Sequence, residues 1–208
     1  GEAPMKLGAG VKNILLTPKT EWPVIAQEQT AVKALCLTYI MILAAIPAIA
    51  GVIAALMIGG MVGAVSGHAG VGMGMGGGFA VVHAIVSYVI SLVVVFVVAL
   101  IVDALAPTFG GTKSQINALK LVAYSATAGW VASIFIVIPV LGWIVAIIGS
   151  LYGIYLLYLG LPVLMKCPED KAVVYLIVVV IVYIVLTWLL SALLVGGLVG
   201  SMMLGGMR

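Results

Sequence analysis

The chain has 208 residues, of which 65% are hydrophobic and only 7% charged, and its formal net charge is +3. A soluble domain carries about 25% charged residues, so this composition excludes a soluble enzyme or carrier and describes an integral membrane protein. The nine basic residues are spread along the chain, which excludes the clustered basic footprint of nucleic-acid binding.

Taken in order, Val11, Ile14 and Leu15 recur at helical spacing beside Lys12, which predicts a short amphipathic helix resting on a lipid surface and ending at Thr17-Pro18. TEWPVIAQEQT starts a second helix, with Thr20 as cap, Pro23 in the first turn and Trp22 as an interfacial anchor. Cys36 and Cys167 have no CxxC or Cys/His spacing around them and read as free thiols. The first crossing begins near Ala34, and Ala44, Ala48, Gly51, Ala55, Gly59, Gly63 and Gly67 form a small-residue face on which another helix can pack. Pro47 should bend it.

Gly59 to Gly78 is dense in glycine and reads as the end of that helix and an outer loop. Its GMGMGG matches the dinucleotide fingerprint only in letters, because no strand can precede it. His68, Met73 and Met75 are a donor set suited to Cu(I), although methionine is also an ordinary apolar filler. No resident metal or cofactor is expected.

Phe79 to Ala106 is the second crossing and carries Asp103 near its end, where charge is far cheaper than at the bilayer centre. His83, near its start, reads as structural. PTFGGTKSQINALK then turns the chain in water, with Gly110 and Gly111 for the turn and Thr112 or Ser114 to cap the next helix. Leu121 to Met165 is free of charge and about twice the roughly 20 residues one crossing needs. It therefore holds a third crossing, Ala118 to Ile138, a turn at Pro139 and Gly142, and a fourth crossing from Trp143 to Leu164. Gly142, Gly149, Gly153 and Gly160 give the fourth helix a continuous glycine face, and Tyr152, Tyr155 and Tyr158 read as packing residues beside it. KCPEDK is the last polar loop, and Ala172 to about Val195 is the fifth crossing.

The expected fold is an all-α bundle of five transmembrane helices, residues 34–208, behind a short amphipathic segment, residues 1–33. Lys6, Lys12, Lys19, Lys33, Lys113, Lys120, Lys166 and Lys171 all fall on one side of such a bundle. The positive-inside rule makes that side cytoplasmic, with the amino terminus inside and the carboxyl terminus outside.

VKNILLTPKTEW, FGGTKSQINALKLVAYSAT and YLLYLGLPVLMKCPEDKAVVY together resemble the Yip1 family of five-helix membrane proteins, in particular its short bacterial members, over about Val11 to Tyr183. The resemblance implies the same topology, and the lack of an Asn-x-Ser/Thr acceptor and the brevity of the chain fit a bacterial inner-membrane protein. Eukaryotic relatives bind Rab-type GTPases and act in early secretory traffic. Their DLYGP-like motif is not found here, and Ala128 follows Tyr124-Ser125-Ala126-Thr127 where relatives often have proline, so Rab binding is not expected.

The function this supports is a non-enzymatic scaffold or adaptor that organises a membrane or cytoplasmic protein partner. Its working surface is expected at Trp22, Asp103, Gly110, Gly111, Lys113 and Tyr124, with Asp103 pairing to Lys113 across the elbow. Gly59, Gly63, Gly149, Gly153 and Gly160 are the expected packing positions, within the bundle or between copies in a homo-oligomer. The alternative is a small-solute or metal-ion transporter, which would use His68, Met73 and Met75.

Overall fold

A computed structural model describes the backbone of residues 7–66, 69–138 and 140–205, and the side chains of 7–61, 78, 80–138 and 140–193. Helices α1 (Leu7–Leu16) and α2 (Pro18–Gln27) come first, and α3 (Val32–Leu35) runs through a π-helical turn, Cys36–Ile40, into α4 (Met41–Ser66). The remaining α-helices are α5 (Ala69–Leu105), α6 (Gln115–Ala132), α7 (Leu141–Met165) and α8 (Glu169–Gly205). Among the described residues, five stretches are long and apolar enough to cross a membrane: Val32–Met61, Ala80–Phe109, Gln115–Val137, Leu141–Met165 and Glu169–Leu193. The expected five-helix, all-α architecture is therefore the observed one.

The glycine-dense stretch departs from expectation. Instead of an outer loop over Gly59 to Gly78, α4 continues to Ser66 and α5 already begins at Ala69. The 37 residues of α5 extend about 55 Å at 1.5 Å per residue, well beyond a hydrocarbon core of about 30 Å. The glycine-dense start of α5 precedes the span Ala80–Phe109, so the helix runs on past the stretch that is apolar enough to cross, and low helix propensity is overridden there. Gly67, His68 and Pro139 lie outside the described residues, as do the side chains of Met73 and Met75 and the surroundings of Gly63.

α6 is the central helix, with Ala118, Leu119, Leu121, Val122, Ala123, Tyr124 and Ala128 all buried. α7 lies against it along the expected glycine face. A Cβ added at Gly153 would come 2.9 Å from the Ser125 carbonyl oxygen, and at Gly149 it would run into the Ala132 methyl. At Gly160 it would meet Leu121 and the Trp22 ring. Such contacts leave no room for a side chain and let the two backbones touch.

The small-residue face of α4 behaves differently. Ala44, Ala48, Gly51, Ala55 and Gly59 line a cavity of about 610 Å³ between α4 and α5. A Cβ at Gly51 would meet nothing within 4 Å. At Gly51 the small residue leaves space beside the helix, whereas Ala44 is buried in the core.

Candidate partner-binding face at the lysine-bearing end

The amino-terminal helices are part of the bundle core. Ile14, Trp22 and Ile25 are all 0% exposed, so the apolar stripe that suggested a lipid-surface helix faces other helices instead. Trp22 is accordingly not an interfacial anchor. Its ring meets the Tyr124 ring edge-on at 6.3 Å and fills the space left by Gly160. Leu16 and Val24, on the other side of the pair, remain exposed.

Three hydrogen bonds from two side chains of the membrane helices hold this pair at its carbonyl ends. Tyr152 donates its hydroxyl to the Leu15 carbonyl at 2.7 Å, and the Lys120 amino group donates to the carbonyls of Ile25 at 2.8 Å and Glu28 at 2.5 Å. Both acceptor groups sit at helix C-terminal ends, where carbonyls lack intrahelical partners and a cation is favourably placed. Lys120 is 1% exposed, so it is a buried clamp and not the loop charge its position in the sequence suggested.

Around the clamp lies a polar cluster. The Tyr39 and Thr127 hydroxyls are hydrogen-bonded at 2.8 Å, and the Tyr39 ring packs on Tyr124 at 4.4 Å. Glu21 is buried, and its Oε1 finds no hydrogen-bond partner. Burial pushes the Glu21 carboxyl above its ordinary value, against a lowering hydrogen bond from Asn13. Burial likewise raises Glu28; Lys120 opposes that shift and Glu21 adds to it. Sequence reasoning missed this cluster, although Lys120, Tyr124 and Thr127 stand at i, i+4 and i+7, one face of one helix.

The elbow is a rigid turn. Ala106–Phe109 forms a single 3-10 turn that ends on Gly110 at φ +75°, a left-handed conformation glycine adopts without strain. Gly111 must be small for another reason: its Cβ would lie 2.7 Å from the Met165 carbonyl oxygen. The Thr112 amide donates to that same oxygen at 2.7 Å, and the Asn117 side-chain amide donates to the Leu164 carbonyl at 3.2 Å. Phe109 stacks on Tyr175 of α8 at 4.6 Å, and the Tyr175 hydroxyl donates to the Val102 carbonyl. Ser114 takes the N-cap position of α6, but its hydroxyl makes no capping bond. The elbow and the KCPEDK loop therefore form one surface, with Gly110 beside Pro168 and the Lys171 side chain.

Of the six expected working-surface residues, Gly110 and Lys113 are exposed and Gly111 is half-buried on the elbow. Trp22 and Tyr124 are interior and support the face from behind. Asp103 is half-buried with a partnerless Oδ1, and the expected pair with Lys113 is not formed. The elbow turns Lys113 outward instead. Cys36 and Cys167 are both free thiols, and burial raises the Cys167 thiol. Among the described residues, no group of three or more His, Cys, Asp or Glu side chains is gathered as a metal site.

Comparison with curated proteins and with solved structures gave no match. The family model of the Yip1 domain matches residues 12–205, from the first turns of α1 to the end of α8. With that match covering nearly its whole length, the chain belongs to the Yip1 domain family.

Proposed function

We propose that the protein is a non-enzymatic membrane scaffold or adaptor, which gathers a membrane or cytoplasmic protein on the lysine-bearing end of its bundle. The observation that carries this reading is that three polar segments are each held in place: the amino-terminal pair by Lys120 of α6 and Tyr152 of α7, and the elbow by the end of α7 and by the KCPEDK loop beside it. A preorganised surface loses little conformational entropy when a partner docks on it. The lysine bias supports putting this end in the cytoplasm of a bacterial cell, with the protein in the inner membrane. Reporter fusions at Gln115 and Glu169 should then read as cytoplasmic, and an external reading at Gln115 refutes that orientation.

The test of the scaffold reading is purification of the full chain in mild detergent with identification of what accompanies it. A recurrent protein should be recovered, and Lys113→Glu and Asp103→Asn should reduce its recovery at unchanged melting temperature. Undiminished recovery from both variants refutes the face. A bound ion or metabolite in place of a protein, lost when His68, Met73 and Met75 are all changed to Ala, supports transport instead.

A further inference from the structure

The charged loops mark where water begins at the lysine-bearing end. Lys113 precedes α6, and Lys166 to Lys171 follow α7, so depth in the bilayer can be counted inward from Gln115 and from Met165. Three contacts then place the amino-terminal pair at different depths. Lys120, which holds the Ile25 and Glu28 carbonyls, stands about 8 Å in from Gln115 at 1.5 Å per residue. Gly160, against the Trp22 ring, stands about 8 Å in from Met165. Tyr152, which donates to the Leu15 carbonyl, stands about 20 Å in from Met165. The pair therefore slopes, with the carboxyl end of α2 near water and the turn between α1 and α2 deepest.

The 25 residues of α7 extend about 37 Å and exceed a hydrocarbon core of about 30 Å by only about 7 Å, so Tyr152 lies inside the core however the helix is set in it. Aromatic side chains on a helix lean toward its N-terminus, which for Tyr152 is away from the charged loop. The turn has the chemistry this depth demands, because backbone polar groups in hydrocarbon must be satisfied within the protein. The Thr17 amide donates to the Asn13 carbonyl at 2.8 Å, and the Thr20 and Glu21 amides donate to the Thr17 carbonyl at 3.2 and 3.1 Å. Pro18 has no amide hydrogen to place. The Thr17 hydroxyl turns back to the Asn13 carbonyl at 3.2 Å and the Thr20 hydroxyl to the Thr17 carbonyl at 2.9 Å. Beside them Leu16 is 69% exposed, and Val24 further along α2 is 51% exposed.

We propose that the α1–α2 pair is sunk into the acyl region of the leaflet on the lysine-bearing side, with Leu16 and Val24 against lipid chains and the exposed Lys12 and Lys19 reaching back to anionic phosphates. Lysine stems are long and apolar enough to run through the chain region while the amino group stays at headgroup level. Anionic lipid is the headgroup that attracts such amino groups. Unlike a helix resting on a lipid surface, the pair turns its stripe of Ile14, Trp22 and Ile25 to protein and its opposite side to lipid. The inference does not depend on the partner-binding reading, since the elbow and the KCPEDK loop remain in water in either case.

The full chain carrying Cys36→Ala and Cys167→Ala should be labelled with a bimane fluorophore at Leu16→Cys or Val24→Cys and placed in lipid nanodiscs. Ile177→Cys, at an exposed position of α8, is the lipid-facing reference, and Lys113→Cys on the elbow is the water-facing one. Both test positions are exposed, so the labels should leave the melting temperature unchanged. Aqueous iodide should quench the Leu16 label at least about fivefold less than the Lys113 label, because an ion does not enter hydrocarbon. Phospholipid brominated near its chain ends should quench Leu16 as it does Ile177, whereas Val24 should respond more to bromine placed close to the headgroup. Brominated phosphatidylglycerol should quench both test labels about twofold more than brominated phosphatidylcholine at equal mole fraction, and Lys12→Gln with Lys19→Gln should bring the two lipids level. Iodide quenching at Leu16 as strong as at Lys113, or the same response of Leu16 and Val24 to the two bromine depths, overturns the insertion. Equal quenching by the two headgroups in the parent overturns the phosphate contact of the lysines.

Discussion

Replacing Lys120 by Met tests whether the amino-terminal helices are held by the clamp or merely lie beside it. The substitution keeps a flexible apolar stem and removes the donor. The Ile25 carbonyl oxygen, in buried surroundings, is then left without its partner, while the partly buried Glu28 oxygen can turn to water. An orphaned buried acceptor costs about 1–3 kcal/mol, so about 2 kcal/mol of docking free energy should be lost. That corresponds to a roughly 30-fold rise in the population of the undocked segment, at about 1.4 kcal/mol per decade. Amide hydrogen exchange in detergent reads this directly. Protection in Pro18–Gln27 should fall by that factor while the amides of α6 and α7 keep theirs. Unchanged protection in α2 would falsify the clamp and leave apolar packing and the Tyr152 hydrogen bond as the restraints.

Three further outcomes follow from the packing and the charges. Gly153→Leu should lower the melting temperature by several degrees, since overpacking a close seam costs about 1–3 kcal/mol, and an unchanged value would mean that α6 and α7 can separate freely. The Glu21 carboxyl, raised above its ordinary 4.5, binds its proton more tightly in the docked state. Docking is thus fully favoured below that value and weakens as pH rises through the raised one, with Asn13, Glu28, Tyr124 and Tyr39 facing the group and Lys120 beside Glu28. Glu21→Gln should flatten this profile in the same exchange experiment, and a slope unchanged in the variant would assign it to another group. Trp22→Ala should cost about 3–5 kcal/mol of packing and release α1 and α2 together, visible as new protease cleavage between residues 7 and 30. Resistance equal to the parent's would show that the Gly160 socket contributes little.

How much the sequence revealed depended on whether a pattern had one physical solution or two. Long charge-free runs between lysine-bearing loops have one, and the five spans follow from it. The glycine face of α7 was legible too, because Gly149, Gly153 and Gly160 recur on one side of a helix with an antiparallel neighbour directly before it. The amphipathic stripe Val11–Ile14–Leu15 had two solutions, since a lipid surface and a groove between helices both take an apolar face. Only the opposing Tyr152 and Lys120, over a hundred or nearly a hundred residues away in the chain, decide between them. Small residues on α4 were ambiguous in the same way, because the residues facing them determine whether a gap closes. The run from Gly59 to Gly78 misled because glycine's low helix propensity is a weak local preference, which the long helices on either side override.

The socket of Trp22 carries a consequence for the order in which the molecule is made. Its walls are Tyr124, Leu121 and Gly160, so the tryptophan leaves the ribosome long before the groove it fills exists. α1 and α2 are translated first and dock last, after the third and fourth crossings have been inserted and have closed on one another. Until then Ile14, Trp22 and Ile25 are an uncovered apolar stripe waiting at the membrane surface. A chain stalled before Gly160 therefore presents its amino-terminal helices to the lipid or to a chaperone, and completion of α7 withdraws them.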